Sequence, residues 1–314
     1  MKTTIGTDVA HAAQLLKQGA VVAIPTETVY GLAADAFNEE AVLTIFSVKQ
    51  RPAFDPLIVH VRDRRQLDQV AQVPAEAEAL IGCFWPGPLT LVLPKRPGVP
   101  DLVTSGLDTV AVRMPAHPMT RALLDALDAP LAAPSANPFG YVSPTTARHV
   151  LDQLGGRIPY ILDGGPCTVG VESTILGWQG NWVLYRPGGV PVEAIGEVVG
   201  PVHQAPTNAR PQAPGMLESH YAPRKPVHVG DVPALLRRFA GRAVGVISFR
   251  TEHPAHRCEV LSPEGDLAAA ARHLFAVLRE LDSSDCQLIV AERFPEEGLG
   301  RAINDRLRRA AAGR

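Results

Sequence analysis

Apolar positions fall into short runs and one-sided stripes along the chain, and the two patterns alternate from the N-terminus onward. In residues 7–19 the stripe is Val9, Ala12, Ala13 and Leu16, which predicts a helix buried on one face and stopped at Gly19. Residues 21–24 form a continuous apolar run that ends at Pro25, as a short buried strand does. A polar turn follows, with Thr26, Glu27, Thr28, Tyr30 and Gly31. Asn38 then caps a second helix, whose first turn holds Glu39 and Glu40, where acidic side chains suit the helix dipole. Val42, Ile45 and Phe46 lie on its inner face. It is expected to run out at Lys49-Gln50-Arg51-Pro52, because the residue before a proline avoids the helical region. Residues 57–61 alternate as a strand, with Leu57, Val59 and Val61 on one face and Ile58 and His60 on the other.

The same reading continues downstream. Residues 63–82 predict two short helices broken near Pro74, and Phe84-Trp85-Pro86-Gly87-Pro88 a rigid turn. Strands are expected over 89–93, 109–114, 131–133, 160–162, 173–176 and 182–185, with a small-residue loop at Thr104-Ser105-Gly106. Pro118 opens a helix striped by Met119, Leu123 and Leu127, and another runs from Thr145 to Gly155-Gly156. From about Gly200 to Pro226, six prolines punctuate a polar stretch with little periodicity, the mark of an extended linker. Beyond it, strands at 227–229, 243–249 and 287–291 alternate with helices striped by Leu267, Ala270, Leu274, Leu278 and Leu281, and by Leu299, Ile303 and Leu307. Such alternation predicts a small, doubly wound, Rossmann-like α/β domain. The organisation expected is thus a domain over 1–200, a linker over 201–226 and a domain over 227–314. With neither G-x-G-x-x-G nor a P-loop, the second domain is assigned no nucleotide site of its own.

Composition narrows the classes. The 314 residues suit about two domains, and a formal net charge of −2 gives no whole-molecule attraction to nucleic acid or membrane, so any anion site must be local. Cys83, Cys167, Cys258 and Cys286 lie far apart without a Cys-x-x-Cys pair, which suits a reducing compartment better than a disulfide frame or zinc site. No signal peptide or bilayer-spanning run is read, and a cytoplasmic protein is expected.

Taken singly, the candidate chemical residues have ordinary explanations. Lys49 and Arg51 at a helix end favour the dipole, His60 is a structural strand histidine, and Thr26 and Thr28 are turn formers. Together they read differently. Thr26 and Thr28, Thr109 and Arg113, Ser135, Ser173 and Arg186 all fall at predicted strand ends, where α/β sheets hold ligands. Lysine and arginine among small hydroxyl donors suit a polyphosphate together with a small polar acid. No H-E-x-x-H or G-x-S-x-G pattern offers a competing chemistry.

The runs PTETVYGLAADA, KQRP…PLIVHV, FWPGPLTLVL, VAVRMP, AAPSANPFG…SPTTA, GVESTIL and YRPGGV resemble the YrdC-like threonylcarbamoyl-AMP synthases. APGMLESHYAP and the second domain resemble the two-domain form of that family. The resemblance implies a YrdC-like twisted mixed sheet with helices and a concave pocket. It also implies synthesis of L-threonylcarbamoyl-adenylate and pyrophosphate from L-threonine, bicarbonate and ATP with Mg²⁺. The product would pass to a tRNA threonylcarbamoyl-transferase complex that modifies the adenosine next to the anticodon; direct tRNA binding is left open. Carried onto this chain, the threonine site falls on Thr28, His60, Arg113 and Ser173. The ATP contacts fall on Lys49, Arg51, Thr109, Ser135, Asn137, Ser143 and Arg186, with Lys49 and Arg51 neutralising charge during catalysis. The linker is expected over the pocket, bringing His220 and Tyr221 to the nucleotide. Members of the family it resembles usually carry Asn where this chain has Asp55, which places a carboxylate beside the phosphates; they often carry Ser where Phe139 stands. Two alternatives share the fold. A double-stranded RNA or tRNA binder would want interleaved basic and aromatic residues. A carbamoyltransferase of the hydrogenase-maturation type would want zinc-finger cysteines and an acylphosphatase segment.

Overall fold

A computed structural model of the 314-residue chain describes residues 2–205, 213, 216 and 220–313. Strand β1 (Thr4–Gly6) precedes helix α1 (Val9–Lys17), and β2 (Val22–Ile24) pairs antiparallel with β3 (Gly31–Asp35) across the hydroxyl-rich turn. Next come α2 (Glu39–Lys49), β4 (Ile58–His60), α3 (Arg64–Val70), α4 (Glu78–Phe84), β5 (Leu89–Pro94), α5 (Asp101–Thr104) and β6 (Thr109–Arg113). The first part closes with α6 (Pro118–Asp125), β7 (Leu131–Ala132), α7 (Ala147–Leu154), β8 (Tyr160–Leu162), β9 (Thr174–Trp178), β10 (Trp182–Arg186), α8 (Val192–Val199) and β11 (Val202–Gln204). After the linker follow β12 (Val227–Val229), α9 (Val232–Arg238), β13 (Val244–Ser248), β14 (Arg257–Val260), α10 (Leu267–Ser283), β15 (Leu288–Ala291) and α11 (Gly300–Ala311).

Among the described residues, eleven strands form one mixed sheet in the order β1-β8-β2-β3-β7-β4-β6-β5-β9-β10-β11. A second sheet, β12-β15-β13-β14, is parallel throughout. This is the expected α/β architecture, a large mixed sheet with a small parallel one. The strand alternation expected at 57–61 holds: Leu57, Val59 and Val61 enter the main core, while Ile58 joins a smaller cluster on the opposite face.

Local chemistry explains the element ends. Asp8, Asn38, Asp63 and Asp266 accept backbone N–H bonds at the starts of α1, α2, α3 and α10. Helix α2 stops at Lys49 because Gln50 adopts the left-handed conformation (φ 53°), two residues before the proline expected to end it. Thr104, read as loop, closes the short helix α5, and the left-handed Ser105 and Gly106 follow it. Thr146, not Thr145, caps α7. Strand β3 was absent from the sequence pattern, because Gly31, Ala33 and Ala34 carry little strand preference; its neighbours β2 and β7 define it.

The hydrophobic clusters decide how the two sheets are joined. Val29, Tyr141, Val142 and Val171 belong to the same buried cluster as Leu274, Phe275 and Leu278 of α10 and Ile303 of α11, with Tyr221 among them. The turn after β2 and the loops around Tyr141 and Val171 therefore bury their apolar side chains against the helices of the second sheet.

Candidate active site

The site is built where strands end. Strands β4 and β6 run parallel with His60 opposite Arg113, so both C-terminal side chains emerge together. Leu89 of β5 pairs with Thr174 of β9, which brings Ser173 to the same edge, and Thr90 and Ser173 share a hydroxyl hydrogen bond of 2.7 Å. The turn after β2 completes that end. Thr26 is a turn former: its hydroxyl donates to the Val29 carbonyl (2.6 Å) and accepts from the Thr28 and Val29 amides. That fold of the turn aims Thr28 at Arg113, whose Nη1 donates to the threonine hydroxyl at 2.8 Å.

One cavity gathers Thr28, Arg51, His60, Arg113, Ser135, Ser173 and Arg186, together with His220 and Tyr221 from the linker. Four expected residues stand just behind its wall. Lys49 is fully buried and donates from Nζ to the Ser135 and Asn137 carbonyls, both at 2.5 Å, so it fixes the loop that presents Ser135. Asn137 donates to the Pro138 and Tyr141 carbonyls. The Ser143 hydroxyl donates to Glu172. Asp55 pairs with Arg51 at 2.8 Å. Thr109 stands apart: it starts β6, four residues and roughly 13 Å of strand from Arg113. Ala111 lies between them on the same face, in an apolar cluster that includes Ala213 of the linker. For the expectation that the whole linker covers the pocket, residues 206–212, 214–215 and 217–219 lie outside the described residues.

Two carboxylates at the site, Glu172 in the cavity wall and Glu27 behind it, escaped the sequence reading as site residues. Glu27 pairs with Arg113 at 2.5 Å, and Glu172 lines the wall beside Ser173. Both sit next to hydroxyl residues already singled out, a signal that adjacency in TET and EST could have supplied.

Burial dominates the electrostatics. It lowers the pKa of Lys49 well below the ordinary lysine value, with Arg51 adding to the effect and Asp55 opposing it. Burial also lowers Arg51 and Arg186, and raises Asp55 although Arg51, Lys49 and Arg186 pull it down. For Glu27, burial favours the neutral acid, but the charge and hydrogen bond of Arg113 outweigh it and hold the carboxyl below its usual value. Burial and then Arg113 push His60 down to about 3. His60 is thus a neutral imidazole at neutral pH, with Nδ1 buried and unpaired among the described residues. Because the native state cannot take up this proton while the unfolded chain can, His60 removes stability as pH falls from the ordinary histidine value of 6.5 toward about 3. The His60 ring resonances should therefore stay flat in an NMR titration from about pH 8 to 5, where an unperturbed histidine would titrate; a midpoint near the ordinary value would contradict this burial.

Comparisons with known proteins bear on this geometry. A family model described as telomere recombination (Sua5, YciO and YrdC) matches residues 14–188, and one described as the threonylcarbamoyl-AMP synthase C-terminal domain matches 190–312. A threonylcarbamoyl-AMP synthase of Bacillus subtilis is 43% identical over 99% of this chain and 95% of its own length. The chain belongs to the threonylcarbamoyl-AMP synthase family. A Pyrococcus abyssi member is 44% identical over 96% of this chain and 94% of its own. The crystal structure of P. abyssi Sua5 complexed with L-threonine superposes with a TM-score of 0.93 at 42% identity, covering 99% of this chain and 97% of that one. Full-length similarity to two-domain synthases favours a transferase of this type over both the RNA-binding and the hydrogenase-maturation alternatives.

Proposed function

We propose that the cavity joins L-threonine, bicarbonate and ATP into threonylcarbamoyl-adenylate and pyrophosphate. The observation that carries this reading is one pocket with two chemically distinct ends. At one end Arg113, Thr28, His60 and Ser173 converge; at the other, Arg51 and Arg186 face Ser135, His220 and Tyr221. The first end suits an amino acid. Arg113 has five N–H donors, of which Gly87 O, Thr28 Oγ1 and Glu27 engage three, leaving two for a carboxylate. The second end suits a triphosphate, since two arginines and Lys49 behind them supply charge without flexible, exposed side chains.

The chemistry then asks little of a dedicated acid or base. The threonine amine and bicarbonate give a carbamate and water, and a carbamate oxygen attacks the α-phosphorus as pyrophosphate leaves. Positioning and charge neutralisation carry such a step. Arg51 is held for this role by its own chain, donating from Nε to the Asp55 carbonyl and from Nη2 to the Pro56 carbonyl. Arg186 donates to the carbonyl and hydroxyl of Ser173, which ties the phosphate end to the threonine end.

Magnesium enters as the counter-ion of the substrate ATP. Glu27, Asp55 and Glu172, the carboxylates in or beside the cavity among the described residues, are each paired with an arginine. No described helix is long and apolar enough to cross a membrane, and the four cysteines are free thiols, as suits the cytoplasm. The adenylate is handed on for threonylcarbamoyl modification of tRNA. Incubation with carbon-13 bicarbonate, threonine and ATP should yield an adenylate carrying the label, read by mass spectrometry. AMP or ADP without labelled adenylate would overturn the proposal.

A further inference from the structure

Glu172 is an awkward neighbour for a triphosphate. It lines the cavity immediately before Ser173, and an ionised carboxylate there repels phosphate unless something neutralises it. Arg186 adds to the positive field around it, but its ion-pair partner comes from a helix beside the second sheet. Arg306, on α11, is 0% exposed and donates from Nε to Glu172 Oε2 at 2.7 Å. Its Nη1 donates to the Pro187 carbonyl at 3.0 Å and to Asp305 at 2.7 Å. Asp305 is gripped in turn by Arg308 and Arg309.

The same guanidinium supports the linker and the nucleotide loop. Its central carbon lies 5.0 Å from the centroid of the Tyr221 ring, and that ring packs on Phe275 of α10. The other oxygen of Glu172 accepts from Ser143 at 2.5 Å. Arg279 of α10 holds this loop from the other side, donating to the Ser143 and Val142 carbonyls. Helices α10 and α11 therefore clasp Ser143, Glu172 and Tyr221 together.

We propose that Arg306 is a positioning residue of the nucleotide pocket: it neutralises Glu172, orients Ser143 through it and seats Tyr221, so the second domain sets ATP affinity. This rests on ATP occupying the cavity as proposed above. Arg306 itself touches no reacting atom. If its role were only to hold the two sheets together, its loss would lower stability and affect both substrates alike. Acting through Glu172, it should affect ATP selectively, and the defect should depend on the carboxylate.

Pyrophosphate release by the full chain separates these cases. In Arg306→Met, KM for ATP should rise about tenfold or more while KM for threonine changes less than about twofold, because an unpaired Glu172 repels phosphate. Adding Glu172→Gln to Arg306→Met should recover most of the ATP affinity. Equal loss for both substrates, unchanged KM for ATP, or no recovery in the double variant would overturn the proposal. Where Arg306→Met is insoluble, Arg306→Gln makes the same test: it keeps an N–H donor toward Glu172 but removes the charge, so KM for ATP rises alone, and an unchanged KM for ATP overturns the proposal. A wild-type chain without threonine-dependent turnover would remove the reading beneath it; a working wild type with an unaffected Arg306 variant removes only this inference.

Discussion

Arg113→Lys should raise the threonine KM roughly ten- to a hundredfold, the equivalent of about 1.5–3 kcal/mol for hydrogen bonds to a charged group. Under the same conditions KM for ATP should change little. The residue is 3% exposed, and its Nε, Nη1 and Nη2 atoms are already committed to Gly87, Thr28 and Glu27. A lysine at this position has three donors on one atom and cannot satisfy those partners while also gripping a carboxylate with two parallel bonds. It would also leave Glu27 less well paired, adding like-charge repulsion against the incoming substrate. Steady-state kinetics with each substrate varied in turn checks the claim. A selective loss for ATP, with threonine untouched, would mean that Arg113 serves the other end of the pocket.

Asp55→Asn should have opposite effects on the empty and the loaded protein. Asp55 is 0% exposed and faces Arg51 at 2.8 Å, with Lys49 and Arg186 adding to the positive field around it. Of the three ways a carboxylate could be tolerated there (turned away, bound to metal or paired), the structure shows pairing. Removing one partner of a buried pair leaves the other uncompensated, at a cost of about 3–5 kcal/mol. The empty variant should accordingly melt on the order of 5–10 °C lower. Arg51 keeps its backbone acceptors at Asp55 and Pro56, so its geometry survives the substitution. With the carboxylate gone, ATP no longer competes for the cation, and about 2–3 kcal/mol of repulsion before screening is relieved, for charges roughly 6 Å apart at an effective dielectric near 20. ATP should then bind more tightly and raise the melting temperature by more than in the wild type. Thermal unfolding with and without ATP measures both effects at once; an unchanged melting temperature together with unchanged ATP stabilisation would contradict the paired assignment.

Much of this was legible in the residues because the site grows from strand ends, and strand ends are punctuated. Pro25, Pro52, Pro115 and Pro134 mark chain turns near Thr28, Arg51, Arg113 and Ser135, and the alternation of 57–61 alone puts His60 on the opposite face from Val59. What could not be read was partnership across long sequence separations. Arg306 falls between the apolar stripe positions Ile303 and Leu307, where a solvent-facing charge is the ordinary reading, yet it is buried against Glu172, 134 residues away. The pairing of Glu27 with Arg113 is equally invisible, since neither charge has a local partner. Strand β3 was missed for another reason: small residues form strands when neighbours supply both hydrogen-bonding edges, which is tertiary information. Thr109 shares a strand and a face with Arg113 and stands at the opposite end of that strand, a separation that face alternation alone does not convey.

Pyrophosphate release from ATP, with threonine and bicarbonate each present or omitted, tests most directly whether this pocket assembles its own nucleophile. Release should require both, because neither threonine without carbonate nor bicarbonate without the amine provides the carbamate oxygen that attacks the α-phosphorus. Equal turnover of ATP when threonine is left out would contradict it.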